Sequence, residues 1–288
     1  MSDYKDIWYQ SADGLTLHAR DYGNDAATLT LLCMAGLTRN AADFEDLCSA
    51  LQDTYRVIAV DQRGRGKSDW DKEPGHYQPT TYVQDMFTFL DELKPESVVL
   101  VGTSLGGLMA MMMNAMQPER FAGVIINDIG PVVNPEGLDR IKRYVGKAAP
   151  VASWNQAIEQ TRQTNAVAFP HMTEAGWERF THRIYGEDRN GAPRLLYDPA
   201  IAQPIAEDED SAVPPDLWPV FDTLAGTPTM VIRGELSDIL HKDCVAEMKK
   251  RKPDLHVFEV TGVGHAPILD EPGVIPGVVD FLSQIRTP

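Results

Sequence analysis

The sequence predicts an α/β fold in which a mostly parallel central sheet carries helices on both faces. Short apolar segments of strand length alternate with longer segments of helix length. The apolar segments lack the alternation of apolar and polar residues that one solvent-facing side would give, so both faces of the sheet are expected to be covered. Strands that alternate with helices form right-handed crossover units, which make neighbouring strands parallel.

The elements follow from these segments in order along the chain. The opening segment Asp6–Asp21 alternates more regularly and contains Asp13-Gly14, which predicts an antiparallel hairpin at one edge of the sheet. The predicted buried strands are Leu29–Met34, Val57–Val60, Val98–Val101, Val124–Ile126, Met230–Ile232 and His256–Val260. The predicted helices between and after them cover residues 41–52, 80–94, 105–117, 241–252 and 272–285.

Residues 131–220 interrupt this alternation. The predicted helices of the segment are Ile141–Ala149, Trp154–Thr164 and Glu174–Tyr185, and the acidic run Glu207–Asp210 is expected to form a solvated loop. Connections between sheet strands usually have only a few residues, and long insertions in α/β enzymes often serve as lids. We therefore predict a core formed by residues 1–130 and 221–288 and a helical cap formed by 131–220, with an ordinary crossover containing long loops as the alternative.

Composition limits the classes of function. The 288 residues include 26 Lys and Arg against 42 Asp and Glu, a formal net charge of −16, which disfavours a nucleic-acid partner. No apolar run is long enough to span a membrane, and the charged N-terminal residues do not resemble a signal peptide, so a cytoplasmic protein is expected. The three cysteines and the histidines show no metal-binding spacing, and neither a metal nor a cofactor is predicted; the oligomeric state stays open.

The segment Gly102-Thr103-Ser104-Leu105-Gly106-Gly107 has the pattern G-x-S-x-G between a predicted strand and a predicted helix. A sharp turn at this position would project the Ser104 hydroxyl above the sheet. Side chains two residues to either side would collide with the turn, which explains glycine at both positions. The pattern in this context predicts Ser104 as a nucleophile, whereas a serine that merely caps the helix is the structural alternative.

A serine hydroxyl needs a general base, and His265 is the best placed of the seven histidines. It lies in a loop that follows the last predicted strand, between Gly264 and Ala266. Ligands of parallel sheets bind beyond the carboxyl ends of the strands, so Ser104 and His265 are expected at the same edge.

The base in turn needs a carboxylate that orients it. We predict Asp238, which follows the fifth of the six buried strands and gives the chain order Ser104, Asp238, His265 that is typical of this motif. Two alternatives stay open: Asp128, which ends the fourth strand, and Glu235, which lies in the same loop as Asp238. The predicted oxyanion hole consists of the backbone N–H groups of Leu37, in the loop after the first buried strand, and of Leu105.

Together these motifs make the chain resemble the α/β-hydrolase fold superfamily over nearly its whole length. The segment Asp61-Gln62-Arg63-Gly64-Arg65-Gly66-Lys67-Ser68 resembles the D-x-R-G-x-G-x-S turn of that superfamily. It also differs from a phosphate-binding loop, because Asp61 stands where that loop requires glycine. Many relatives have His-Gly before the oxyanion residue, whereas this chain has Ala35-Gly36, so the support of that loop is expected to differ.

The resemblance implies a serine hydrolase that cleaves an ester, a lactone or a similar activated acyl compound. Similar sequences include enol-lactonases, carboxylesterases and C–C hydrolases of meta-cleavage products, while Ser104 argues against the branches with an aspartate nucleophile. C–C bond hydrolysis, perhydrolysis and a non-catalytic ligand-binding role are the alternatives. The substrate is expected to be a small molecule with an apolar or aromatic part, because aromatic residues are frequent in and beside the predicted cap: Trp154, Phe169, Trp177, Phe180, Tyr185, Tyr197 and Trp218.

Overall fold

A computed structural model describes residues 4–24, 26–207 and 216–285 of the chain. Its strands are β1 (Lys5–Gln10), β2 (Thr16–Tyr22), β3 (Leu29–Met34), β4 (Arg56–Asp61), β5 (Ser97–Thr103), β6 (Phe121–Asn127), β7 (Tyr185–Glu187), β8 (Pro193–Leu195), β9 (Thr229–Gly234) and β10 (His256–Val260). Its α-helices are α1 (Glu45–Leu51), α2 (Pro79–Leu93), α3 (Leu105–Met116), α4 (Pro135–Tyr144), α5 (Trp154–Asn165), α6 (Glu174–Ile184), α7 (Ala202–Glu207), α8 (Trp218–Asp222), α9 (Lys242–Arg251) and α10 (Val274–Ser283).

Eight of the strands form one sheet in the order β1-β2-β4-β3-β5-β6-β9-β10. Strand β2 pairs antiparallel with β1 and β4, and the other neighbouring pairs are parallel. The predicted fold class and the predicted edge hairpin are confirmed. The hairpin turns at Gly14, whose φ of +90° favours glycine.

Apolar residues of the central strands alternate between two core layers on opposite faces of the sheet. In β3, Leu32 and Met34 pack into the layer that also contains residues of α2 and α3. Leu31 and Cys33 pack into the layer formed with α1 and α10. Every residue of β3 is buried, so the predicted cover on both faces is confirmed for this strand.

Strand β10 differs from that expectation. It lies at the edge of the sheet beside β9, and most of its residues are exposed or half-buried. The prediction of a strand covered on both sides is therefore wrong for His256–Val260. An apolar run predicts a strand but does not determine whether the strand lies at the centre or at the edge, because that depends on distant pairing partners.

Helices α4 to α8 and the two-stranded hairpin β7–β8 lie between β6 and β9 in the chain, and we refer to residues 131–220 as the cap segment. Its helices α5 and α6 agree with the prediction. They contribute to a separate apolar cluster that includes Phe169, Trp177 and Phe180. The aromatic residues of the cap segment therefore help to form a small core of their own.

The first helix of the cap segment begins and ends earlier than the predicted Ile141–Ala149. The side chain of Asn134 caps α4 by accepting a hydrogen bond from the N–H of Glu136, and Pro135 occupies the first helical position. Gly146, with a φ of +70°, follows the end of the helix. The acidic run Glu207–Asp210 lies almost entirely outside the described residues, since only Glu207 falls within them, at the end of α7. Among the described helices, none combines the length and the apolar character that crossing a membrane requires.

Candidate active site

Ser104 lies on the sharp turn between β5 and α3. Its φ of +52° and ψ of −113° form a backbone conformation that non-glycine residues rarely adopt. A Cβ atom at Gly102 would lie 2.1 Å from the carbonyl oxygen of Gly106, and one at Gly106 would lie 2.0 Å from the carbonyl oxygen of Met34. The predicted steric need for glycine on both sides of Ser104 is therefore confirmed.

His265 lies in the loop after β10, and its Nε2 atom is 2.9 Å from the Oγ atom of Ser104. This loop is fixed from two sides. The carboxylate of Glu235 accepts a 2.8 Å hydrogen bond from the N–H of Gly262, and the N–H of Gly264 donates to the carbonyl of Ala168 in the cap segment at 2.7 Å. Glu235, one of the three acids considered, thus shapes the histidine loop and is not the partner of the His265 ring.

Asp128 is the carboxylate that contacts His265, with 2.8 Å between its Oδ2 atom and the Nδ1 atom of the ring. Asp128 follows β6 directly and is fully buried. It also accepts hydrogen bonds from the N–H of Gly234 at 2.8 Å and from the hydroxyl of Ser237 at 2.6 Å. These contacts fix one carboxylate in a single orientation toward the ring.

The structure corrects the predicted role of Asp238 as the acid that orients His265. Asp238 accepts two hydrogen bonds from Arg140 of α4, with 2.5 Å from Nε to Oδ2 and 2.9 Å from Nη2 to Oδ1. Burial raises the pKa of Asp238, but the hydrogen bonds and charge of Arg140 outweigh this effect and hold its pKa below the ordinary value. The prediction followed chain order. In the sheet, however, β5 and β6 are direct neighbours. Ser104 follows β5 and Asp128 follows β6.

The loop after β3 passes beside the nucleophile. A Cβ atom at Gly36 would lie 3.7 Å from the Cβ atom of Ser104, and Leu37 is the next residue of this loop. Leu105, the second predicted oxyanion residue, is the first residue of α3. Both predicted N–H donors therefore lie on segments adjacent to Ser104.

Sequence reasoning missed the residues that hold the Leu37 loop. The Nε atom of buried Arg65 donates to the carbonyl of Leu37 at 2.9 Å, and the amide nitrogen of Gln62 donates to the carbonyl of Ala35 at 3.0 Å. Arg65 and Gln62 both belong to the segment Asp61–Ser68, which resembles the D-x-R-G-x-G-x-S turn of the superfamily. The turn thus supports the loop that contains Ala35 and Leu37.

Within the described residues, Asp13, Asp71 and His76 are spaced so that they could hold a cation. A guanidinium group already lies between the two carboxylates, because Nη1 of Arg63 is 2.8 Å from Asp13 and 2.6 Å from Asp71. The cluster is therefore explained as an ion-pair network around a buried arginine.

A cavity of about 320 Å³ opens above Ser104 and His265 and is lined by the Leu37 loop, by the cap segment and by the His265 loop. Its volume lies at the small end of the range for small-molecule sites, about 300–1,000 Å³. Of the aromatic residues that the sequence placed in and beside the cap, Phe169, Tyr185 and Tyr197 line the cavity, and Tyr144 of α4 lines it as well. Trp177 and Phe180 instead pack within the cap segment.

Comparison with known proteins agrees with the fold. The chain belongs to the alpha/beta hydrolase family, whose sequence model matches residues 31–275. The resemblance inferred from the motifs is thereby confirmed, and the coarse functional class is hydrolase.

Individual relatives cover nearly the full length of the chain. A 3-hydroxybutyrate-oligomer hydrolase of Cupriavidus necator is 33% identical over 269 residues, which are 91% of each chain. A 2-(acetamidomethylene)succinate hydrolase of Mesorhizobium japonicum is 28% identical over 87% of this chain and 85% of its own. The crystal structure of an alpha/beta hydrolase from Novosphingobium aromaticivorans is 41% identical, with a TM-score of 0.92 over 98% of this chain and 99% of its own.

Proposed function

We propose that this protein hydrolyses carboxylic esters through an acyl-enzyme intermediate formed on Ser104. The observation that carries the proposal is the continuous hydrogen-bond chain from the Ser104 hydroxyl through both ring nitrogens of His265 to the buried Asp128. A hydroxyl, an imidazole and a carboxylate in this order form the arrangement that activates serine for attack on a carbonyl carbon.

In the first half of the reaction, Ser104 Oγ attacks the ester carbonyl while Nε2 of His265 accepts the hydroxyl proton. Asp128 accepts a hydrogen bond from the Nδ1–H group of His265, which selects the tautomer with a free Nε2 atom and stabilises the imidazolium that forms. The imidazolium then donates its proton to the departing alkoxide, and the acyl group stays on Ser104.

The negative charge on the carbonyl oxygen of the tetrahedral intermediate requires donors, and the proposal assigns the N–H groups of Leu37 and Leu105. Among the described residues, neither group donates to another protein atom. Leu105 also begins α3, whose first N–H groups and dipole favour negative charge. Loss of one such donor typically lowers the rate about 10²- to 10³-fold.

In the second half, water activated by His265 attacks the acyl carbonyl and releases the carboxylic acid. The proposal places an apolar or aromatic part of the substrate against Phe169 and Tyr197, which line the cavity. It also gives the cap segment the role of a lid, because its helices supply a large part of the cavity wall. The name of the relative from Cupriavidus necator supports esters of short hydroxy acids as the first substrates to test.

The test combines active-site labelling with turnover. A fluorophosphonate probe is expected to label the wild-type protein and not the Ser104→Ala variant, which should also lose hydrolysis of a p-nitrophenyl ester and of a 3-hydroxybutyrate dimer. Ser283→Ala, which removes an exposed hydroxyl in α10, serves as the matched control and should keep both. Labelling that persists in Ser104→Ala, or faster turnover of a meta-cleavage diketone than of any ester or lactone, would contradict the proposal.

A further inference from the structure

Two cationic side chains of the cap segment line the cavity that contains Ser104. Arg143 lies in the last turn of α4, and Lys147 follows shortly after the helix ends. Both residues are exposed, so their charges lie on the solvent side of the cavity. They therefore present two positive groups to a substrate that enters.

The charge of the cavity wall contrasts with that of the whole chain. The only other lysine, arginine, aspartate or glutamate residues among the described lining residues are Arg39 and Asp43. These two bind each other, with 2.6 Å from Nη2 of Arg39 to Oδ1 of Asp43, so their charges offset. Arg143 and Lys147 remain, and the wall is positive in a chain whose formal net charge is −16.

Among the described residues, neither cation has an acidic partner. Nζ of Lys147 donates to the carbonyl of Lys142 at 2.9 Å, which is a neutral partner. Arg143 makes no hydrogen bond or ion pair to any described residue, whereas Arg140, one turn earlier in α4, is paired with Asp238. The C-terminal end of a helix favours cations, which accounts for a positive charge at the end of α4. This preference does not explain why the charged side chain lines the cavity.

We propose that the ester substrate carries a carboxylate, which Arg143 and Lys147 bind at the mouth of the cavity while Ser104 attacks the ester carbonyl. This inference rests on the proposed function and specifies its substrate class. A neutral ester that covered these cations would remove water from them without compensation, whereas a carboxylate forms charge-assisted hydrogen bonds with both. The volume of about 320 Å³ favours small anionic esters over long-chain lipids.

A matched pair of substrates tests the inference. Monomethyl glutarate carries a carboxylate, and methyl 5-methylhexanoate has an isopropyl group of similar shape in its place. The wild-type protein is expected to show a higher kcat/KM for the anionic ester. Arg143→Gln and Lys147→Gln should each lower the anionic-to-neutral ratio of kcat/KM by about 3- to 10-fold, mainly through KM, since exposed charge pairs contribute modestly.

Lys72→Gln provides the control, because it removes one positive charge at an exposed position that is not among the lining residues. It should leave the ratio unchanged. A wild-type preference for the neutral ester, or an unchanged ratio in Arg143→Gln and Lys147→Gln, would overturn the carboxylate assignment while ester hydrolysis itself stands. Failure to hydrolyse either ester, together with no labelling of Ser104, would overturn the proposed function and the inference with it.

Discussion

Asp128 and Asp238 are both aspartates at the carboxyl edge of the sheet, but their neighbours give them different roles. Asp128 is fully buried, and each of its three hydrogen bonds, from Gly234, Ser237 and His265, comes from a group that is fixed by the fold. Asp238 is partly exposed and paired with a guanidinium group. Residue type and position along the chain do not distinguish them, whereas their hydrogen-bond partners do.

The first prediction compares the two aspartates by substitution. Asp128→Asn should lower kcat about 10³- to 10⁴-fold, because an amide donor that faces Nδ1 favours the wrong tautomer of His265. Asp238→Asn should leave kcat within about tenfold of wild type, because the ring partner is intact. Steady-state kinetics on one ester measure these changes in kcat, and thermal melts show whether both variants fold. A larger loss of kcat in Asp238→Asn than in Asp128→Asn would contradict the assignment.

The second prediction concerns the carboxylate of Glu271, which follows the His265 loop. One carboxylate oxygen accepts a 2.8 Å hydrogen bond from the N–H of Ile268, and the other is buried without a partner among the described residues. Burial raises the pKa of Glu271 above its ordinary value of 4.5, although backbone hydrogen bonds oppose this. The folded state therefore binds the proton more tightly than the unfolded state.

It follows that the stabilisation from protonated Glu271 is complete below pH 4.5 and is lost as the pH rises through the raised pKa. Glu271→Gln does not titrate, so its free energy of unfolding relative to wild type should increase between about pH 4 and pH 8. Urea denaturation at several pH values measures this difference. A difference that stays constant with pH would show that Glu271 titrates alike in both states.

At the scale of elements, the ion pair between Arg140 and Asp238 joins helix α4 of the cap segment to the loop after β9. The two segments also pack closely, since a Cβ atom at Gly137 would lie 2.3 Å from the carbonyl oxygen of Asp238. Helix α4 contributes Ile141 and Tyr144 to the cavity wall. The ion pair is thus placed to fix a wall of the cavity relative to Ser104.

The third prediction follows from this placement. Arg140→Gln and Asp238→Asn should each raise KM several-fold with little change in kcat, because they loosen a wall and leave the reacting groups in place. Their stability cost should be about 1 kcal/mol or less, since both side chains are partly exposed. A double-mutant cycle should give smaller than additive effects on KM.

Arg120→Gln is the matched control for this pair, because it breaks an ion pair with Asp91 outside the cap segment. Its stability change should be similar, and its KM should equal that of the wild type. Equal KM changes in Arg120→Gln and Arg140→Gln would show that the effect is a general loss of stability.

At the scale of the whole molecule, buried Arg63 joins segments that are distant in sequence. Its guanidinium group binds Asp13 in the β1–β2 turn, Asp71, and Asp85 in α2 at distances of 2.6–3.0 Å. Its hydrogen bonds lower the pKa of Asp13 to about 2. One arginine thus pairs with carboxylates from the edge hairpin and from a helix that packs on the sheet.

The fourth prediction is that Arg63→Met lowers the free energy of unfolding by about 3–5 kcal/mol, because it leaves buried carboxylates without a cation. Arg120→Gln, at a partly exposed pair, should cost about 1 kcal/mol or less. Urea denaturation of the two variants at neutral pH measures the contrast. Equal costs would mean that the Arg63 network contributes no more than a surface ion pair.

Local patterns in the sequence predicted the parts of the site that local geometry produces. The turn at Ser104 is predictable because a strand, a strained residue and a helix follow one another within a few residues, and because Gly102 and Gly106 are required by contacts close to that turn. His265 was predictable from its loop after the last strand. The support of the Leu37 loop by Arg65 was not predictable, since that contact joins segments 28 residues apart.

The amino-acid sequence by itself determined the alternation of strands and helices, the family, the nucleophile turn and the histidine loop, because each depends on residues that are neighbours in the chain. Only the tertiary structure decided which carboxylate meets His265, which cations face the cavity and which strand lies at the edge. The physical reason is that hydrogen bonds and ion pairs require distances of about 3 Å, and the order of strands in the sheet, not their order in the chain, determines which side chains come that close.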